Sequence, residues 1–324
     1  MKRKVTFGID IGGTNTTLGL VDVNGKCLHE ESFPTLGYDS FASFFSRLSE
    51  RIAAIAERFS KEYELAGIGA AAPTANYARG TIEAPSNLKW GTVEFVNIMR
   101  NHYNLPVAIT NDAKAAALGE MEYGEARGMQ NFIMVTLGTG VGSGIVVNGE
   151  LIYGHDGLAG EFGHTIIQQE GRQCNCDRLG CLETYVSSRG IVRTVFELLA
   201  QRMADSVLRE ISYSQLTAEK VYQLALAGDS IALEAFENTG KLLGRALADM
   251  AAYFSPEAIV IAGGLAKAGE LLFKPTRRHF EENLLEIFKG KIKILPSNVR
   301  NGSAAVLGAS LLIRKEIEKG SGAH

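Results

Sequence analysis

Three cysteines fall within eight residues, Cys174, Cys176 and Cys181, and His164 lies ten residues upstream of the first. Three thiolates and an imidazole are the donor set of a closed, tetrahedral zinc site, in which four protein ligands leave no position for water. Such an ion shapes a loop and does no chemistry of its own. The chain has four cysteines in all, which suits a metal site in a reducing compartment better than a disulfide framework. Gly171 and Gly180 are the expected turn residues that bring the ligands together.

A second chemistry is written in two glycine-rich stretches with hydroxyls, GGTNTT at 12–17 and GTGVGS at 138–143. Glycine lets main-chain N–H groups approach phosphate oxygens, and threonine hydroxyls add donors. Asp10 ends the strand before the first stretch. A carboxylate beside a phosphate cradle needs an intervening cation, and Mg²⁺ takes such an oxygen ligand. One such hairpin would read equally well as a turn without a ligand; two, one of them with this aspartate, favour a nucleotide. The glycines at 138, 140, 142 and 144 do not fit GxGxxG, and neither GxxxxGK[ST] nor HExxH occurs.

Further polar groups surround the cysteine cluster, namely Glu161, His164 and Glu183, with Asn87 and Asp112 elsewhere. Singly, each has an ordinary explanation: Asp112 ahead of AKAAAL reads as a helix N-cap, and the glutamates as surface charge. Together they resemble a polyol site, where carboxylates and amides accept hydrogen bonds from ring hydroxyls.

The elements that must position these groups alternate between strand and helix. Residues 5–11 and 18–23 read as strands around the first glycine stretch, and Asn24-Gly25 as a turn towards 27–31. Apolar residues at helical spacing predict a helix over 40–63, a strand over 65–72, a helix over 92–104, a strand over 106–110 and an Ala-rich helix from Asn111-Asp112 to about Tyr123. The second half opens with strands at 132–137 and 144–147 and again an Asn-Gly turn. FGIDIGGTNTTLGLVDVNG at 7–25 and FIMVTLGTGVGSGIVVNG at 132–149 thus form an internal repeat, which predicts two related α/β halves. Helices are expected over 189–204, 217–227, 229–253 and 303–318, with strands at 258–264 and 291–295. The terminal GSGAH reads as a frayed end.

Composition narrows the partners. The 324 residues carry 33 Lys plus Arg against 36 Asp plus Glu, a formal charge of −3, so nothing electrostatic calls for nucleic acid or an anionic membrane. No apolar run is long enough for a membrane helix, Asp10 and paired glycines break the first apolar stretch so that no signal peptide is expected, and the expected address is cytoplasmic. Glycine, at 36 residues, exceeds the usual share of about 7%, which predicts many tight turns or backbone-to-ligand approaches.

FGIDIGGTNTTLGLVD (7–22), APSNLKW (84–90), TNDAKAAALGE (110–120), VTLGTGVGSGIV (135–146), GEFGH (160–164), CNCDRLGCLE (174–183) and IVIAGG (259–264) resemble the ROK family of bacterial sugar kinases and sugar-responsive repressors. The resemblance implies a two-lobed, actin-like (ribonuclease H-like) α/β fold with a cleft between duplicated domains and a zinc-bearing loop. It implies a smaller lobe, 1–111 completed by helix 302–318, and a larger lobe, 112–301, with the zinc loop at 164–183. The activity implied is transfer of the γ-phosphoryl of ATP to a hexose 6-hydroxyl, with glucose first and N-acetylmannosamine, N-acetylglucosamine, fructose or allose as alternatives. Asp10, Gly12, Gly13 and Thr14 would face the phosphates and Mg²⁺. Gly138, Thr139 and Gly140 would form the second phosphate loop, and Gly263 and Gly264 would lie near the adenosine. Asn87, Asn111, Asp112, Glu161, His164 and Glu183 match the family's sugar ligands, Asp112 its catalytic base, and His164, Cys174, Cys176 and Cys181 its structural zinc. A homodimer is expected. The repressors carry a helix-turn-helix domain ahead of the first hairpin, which here starts at residue 7, so the kinase reading is favoured. Two departures stand out: Asp177 replaces the usual glycine after the second cysteine, and AAAPTAN at 70–76 replaces a form with Pro-Gly and a following Asp.

Overall fold

The computed structural model describes residues 2–85, 88–299 and 303–321. The chain divides into two compact units, one of Met1–Gly128, Leu151–Ala159 and Asn298–His324, the other of Met129–Glu150 and Gly160–Ser297.

The first unit runs β1 (Arg3–Ile11), β2 (Asn15–Asp22), β3 (Cys27–Pro34), α1 (Phe41–Phe59), β4 (Tyr63–Ala71), the short pair β5 (Ala75–Asn76) and β6 (Thr81–Ile82), α2 (Phe95–Tyr103), β7 (Val107–Thr110) and α3 (Asp112–Tyr123). Its sheet has the order β3-β2-β1-β4-β7. The β1–β2 and β2–β3 pairs are antiparallel, and β1–β4 and β4–β7 parallel. Helix α1 starts at a capping box, in which the Ser40 side chain accepts from the Ser43 N–H and satisfies an otherwise orphaned donor. Phe44, Leu48, Ile52 and Ile55, three or four residues apart, form its buried stripe. The helix stops at Phe59, short of the 63 expected, because Tyr63 already pairs with Arg3 in the sheet.

The second unit runs β8 (Phe132–Leu137), β9 (Val141–Val147), β10 (Glu150–Leu151, whose Leu151 is already counted in the first unit), α4 (Glu183–Val186), α5 (Ser188–Gln201), α6 (Ala218–Leu226), α7 (Ser230–Phe254), β11 (Ala258–Ala262), α8 (Glu270–Asn283) and β12 (Lys293–Pro296). Its sheet order is β10-β9-β8-β11-β12. Here β8 pairs antiparallel with β9 and parallel with β11, as β1 does with β2 and β4. The sequence repeat is therefore a repeat of topology: a glycine-tipped hairpin whose first strand also begins a parallel ladder.

The last helix, α9 (Ala304–Ser321), belongs to the first unit. It takes in Gly320 and Ser321 of the tail expected to fray, while residues 322–324 lie outside the described ones. Its backbone lies directly on that unit's sheet and on α3. A Cβ on Gly8 of β1 would sit 1.9 Å from the Val306 carbonyl oxygen, on Gly69 of β4 1.8 Å from that of Ala309, and on Gly308 1.7 Å from that of Ala115. Some glycines thus serve helix-on-backbone contact, beside the many that take positive φ in turns as expected. The same contact holds α3 in the first unit, whereas the expected boundary at 111/112 placed it in the second.

Candidate functional site

In the first unit the polar residues gather where the parallel strands end and α3 begins. Asp10 is the penultimate residue of β1 and lies opposite Thr17. Asn111 follows β7 and is the N-cap of α3, its Oδ1 accepting from the Ala113 N–H at 2.9 Å. Asp112 is therefore the first helical residue and not the cap its sequence suggested. Its Oδ1 accepts from the same N–H at 2.8 Å. Burial raises the Asp112 carboxyl above the usual range, with the backbone N–H groups of Ala113 and Asp112 pulling the other way. Asp10 is pushed up to about 7 by burial, by Asp112 and by Glu30. Asp112 thus opposes the ionisation of Asp10, which makes the pair a candidate place for a cation or a proton in transit.

The first hairpin tip is tight. The Gly12 N–H donates to the Asn15 carbonyl at 2.9 Å, and a Cβ there would meet that oxygen at 2.7 Å. Thr16 and Thr17 were expected to offer hydroxyls to a ligand, but the sheet absorbs them. Thr16 Oγ1 lies 2.8 Å from Thr35 Oγ1, and Thr17 Oγ1 donates to Ser32. Thr14 is left exposed at the tip, beside half-buried Gly13.

In the second unit the hairpin tip is Gly138–Thr139–Gly140, closed by the Gly138 N–H on the Gly140 carbonyl at 2.9 Å. The strand after it begins at Val141, three residues before the sequence suggested. Gly140 is required by Glu183, whose Oε2 a Cβ would meet at 2.4 Å; that oxygen accepts from the Val141 N–H at 2.9 Å. Gly263, at φ 100°, would drive a Cβ to 2.4 Å from the Leu137 carbonyl oxygen. Gly138 and Gly264 differ: a Cβ on either meets nothing within 4 Å. Among the described residues no contact demands glycine at these two positions.

His164, Cys174, Cys176 and Cys181 come together in this unit, with their donor atoms all within 4.8 Å of one another. The Cys176 and Cys181 sulfurs are 3.6 Å apart, and Cys174 Sγ is 3.7 Å from His164 Nδ1. Four donors on a tetrahedral ion with Zn–S near 2.3 Å would be separated by about 3.8 Å, so the set fits zinc. Burial raises the Cys174 and Cys181 thiols, the direction a cation would reverse. The loop is a small hairpin bridged at Ile166–Cys181 and Gln173–Leu179. Gly180 has φ 77° and would place a Cβ 1.7 Å from the Gln168 carbonyl oxygen. Asp177 adopts φ 65°, so the glycine departure keeps the left-handed turn and aspartate supplies it. With Nδ1 facing the thiols, the other ring nitrogen of half-buried His164 is free to donate outward. Glu161 is exposed at the head of the short turn Phe162–His164, and Glu183 opens α4 two residues after Cys181. Asn87 lies outside the described residues. One residue that sequence reasoning missed is Arg172, buried in the loop; a lone arginine two positions before a cysteine carries no periodic or motif signal.

A duplicated α/β fold with a glycine hairpin in each unit, paired carboxylates at one helix start and a Cys₃His loop defines an actin-like phosphotransferase scaffold. The ROK family model matches residues 6–316, and the chain belongs to that family. It is 34% identical to the glucokinase of Halalkalibacterium halodurans, covering 99% of both chains. A ROK family glucokinase from Streptomyces griseus in complex with glucose and AMPPNP superposes with a TM-score of 0.79 at 30% identity, over 96% of this chain and 99% of that one. A ROK family transcriptional regulator, a homologue of the E. coli MLC protein, superposes at 0.86 and 24% identity over 98% of this chain and 79% of that one, which is a likeness of fold.

Proposed function

We propose that this chain is an ATP-dependent glucokinase, transferring the γ-phosphoryl of ATP to the 6-hydroxyl of glucose. The observation that carries the reading is Asp112, a carboxylate of raised basicity held by a helix N–H at the start of α3. Membership of the family and full-length likeness to glucokinases support the substrate pair. Phosphoryl transfer asks for positioning and charge stabilisation more than covalent catalysis. As the glucose O6 attacks the γ-phosphorus, its proton passes to the Asp112 carboxylate, the bond to the ADP oxygen breaks, and ADP leaves. Asn87, Asn111, Glu161 and Glu183 accept from ring hydroxyls, and the outer ring nitrogen of His164 donates to one. Main-chain N–H groups of Gly12, Gly13 and Thr14, and of Gly138, Thr139 and Gly140, bind phosphate oxygens, while Gly263 and Gly264 lie against the adenosine. A Mg²⁺ held through Asp10 would supply charge neutralisation along the phosphates. Zinc on His164, Cys174, Cys176 and Cys181 would fix the ring plane and tautomer of His164 without entering the reaction.

We place the enzyme in the cytoplasm as a homodimer. N-acetylmannosamine, N-acetylglucosamine, fructose and allose are the competing acceptors, and a substrate panel scored by kcat/KM ranks them. A sugar-sensing regulator on the same fold would consume no ATP when glucose is added, so that assay separates the two readings. The decisive variant is Asp112→Asn. Its kcat is expected to fall by about 10²–10⁴-fold while calorimetry still detects glucose binding; near-normal turnover would remove the assigned base.

A further inference from the structure

Arg172 is the most heavily committed side chain of the second unit. The side chain is 7% exposed, and all five of its N–H donors are used. Nε and Nη2 grip the Glu197 carboxylate at 2.8 and 2.5 Å. Nη1 donates to the carbonyls of Thr184 at 2.6 Å and Gly190 at 3.1 Å, and Nη2 also to Thr194 Oγ1 at 2.9 Å. The guanidinium carbon lies 4.3 Å from the Tyr185 ring centre, whose hydroxyl accepts the Arg172 backbone N–H at 2.9 Å. The Arg172 carbonyl in turn accepts from the Gly180 N–H at 2.9 Å.

These bonds converge on α4. That helix is a single turn, too short to hold itself together, and it begins with Glu183. The Thr184 carbonyl beside Glu183 is held by Arg172, and Arg172 is held by three groups of α5. A buried cation with a bidentate carboxylate and three further acceptors has one geometry, because losing any partner leaves an unpaired group in low dielectric.

We propose that Arg172 is a positioning residue for hexose binding, clamping α4 to α5 so that the Glu183 carboxylate is presented at a fixed place. It rests on the reading that Glu183 contacts the hexose. Lysine keeps the charge but has three donors on a point-like head and cannot meet five acceptors in a planar fork.

Steady-state kinetics on Arg172→Lys, Glu197→Gln, Glu183→Gln and the Arg172→Lys/Glu183→Gln pair tests it, with zinc content and thermal midpoint measured on each. Arg172→Lys should raise the glucose KM about tenfold, the scale of a sub-ångström misplacement, at unchanged zinc content. Glu197→Gln should raise it less, and the double variant should be no worse than Glu183→Gln alone. An unchanged glucose KM in Arg172→Lys while Glu183→Gln raises it, additive effects in the pair, or zinc loss accompanying the KM rise would each overturn the role and leave the kinase reading intact. An unchanged glucose KM in Glu183→Gln would instead remove Glu183 from the sugar site, and the proposal with it. Should Arg172→Lys fail to fold, Glu197→Gln decides, since its carboxylate is half exposed: an unchanged glucose KM there overturns the proposal.

Discussion

Replacing Gly308 by alanine tests how rigidly α9 holds the helix that carries Asp112. The new Cβ would lie 1.7 Å from the Ala115 carbonyl oxygen and 2.6 Å from its carbon, where ordinary contact is 3.4–4 Å. The obstruction is main chain inside a helix, so no rotamer change relieves it and one helix must retreat by roughly a residue's rise of about 1.5 Å. Overpacking of this kind costs about 1–3 kcal/mol and occasionally more, set against a gain of about 1 kcal/mol for alanine over glycine in a helix. With the shortfall this large the upper end applies, and a net loss near 2 kcal/mol is expected. Gly320→Ala on the same helix is the control, because a Cβ there meets nothing within 4 Å; it should be neutral or stabilising by a few tenths of a kcal/mol. Urea denaturation of both variants reads the difference. A second readout is kcat. Ala115 sits one turn after Asp112 on α3, so retreat of that helix displaces the carboxylate, and displacements near 1 Å cost about 10²-fold in rate. If Gly308→Ala and Gly320→Ala denature within about 0.5 kcal/mol of each other, the scatter of distant surface changes, the claim that backbone contact fixes α3 is wrong.

Other expectations follow from the same geometry. With Asp10 at about 7 in the folded chain against an ordinary 3.8, the folded state holds the extra proton: this contribution to stability is complete below pH 3.8 and is lost as pH rises through about 7. Asp10→Asn should therefore gain on wild type as pH rises from about 4 to 7 and level off above that, to a ceiling of about 4 kcal/mol, in denaturation curves without nucleotide or Mg²⁺; a constant gap would refute the assigned environment. Prolonged chelation, or Cys176→Ala, should remove zinc and raise the glucose KM, whereas purified protein that is fully active and zinc-free would dismiss the cluster's role. Gly264→Ala should leave the thermal midpoint unchanged and raise the ATP KM, while Gly263→Ala, blocked by its φ and by Leu137, should lower the midpoint; equal behaviour of the two would contradict the distinction between a ligand-facing and a fold-required glycine.

Local signals were legible where one stretch of chain carries them. The ligands of the Cys₃His cluster span 164–181, and both hairpins were visible as glycine between apolar runs. Boundaries failed where pairing overrode pattern: β2 begins at Asn15 and β9 at Val141 because their partners β1 and β8 extend the ladder to the hairpin tip. That extension also withdrew Thr16 and Thr17 from the ligand side. The cap of α3 was misjudged because Asn111 and Asp112 both suit an N-cap, and the strand end at Thr110 decides which residue turns first.

The amino-acid sequence by itself determined which groups are available: thiols and imidazole at metal-binding spacing, carboxylates beside glycine turns, and a duplicated order of strands. Tertiary structure alone decided which of them remain uncommitted. The Glu183 oxygen taken by Val141 and the arginine that anchors α4 depend on contacts between residues that are not neighbours in the chain. Hydrogen-bond capacity is finite for each group and is spent first on whatever the packed fold brings within reach, so chemistry is left to the atoms that folding does not use.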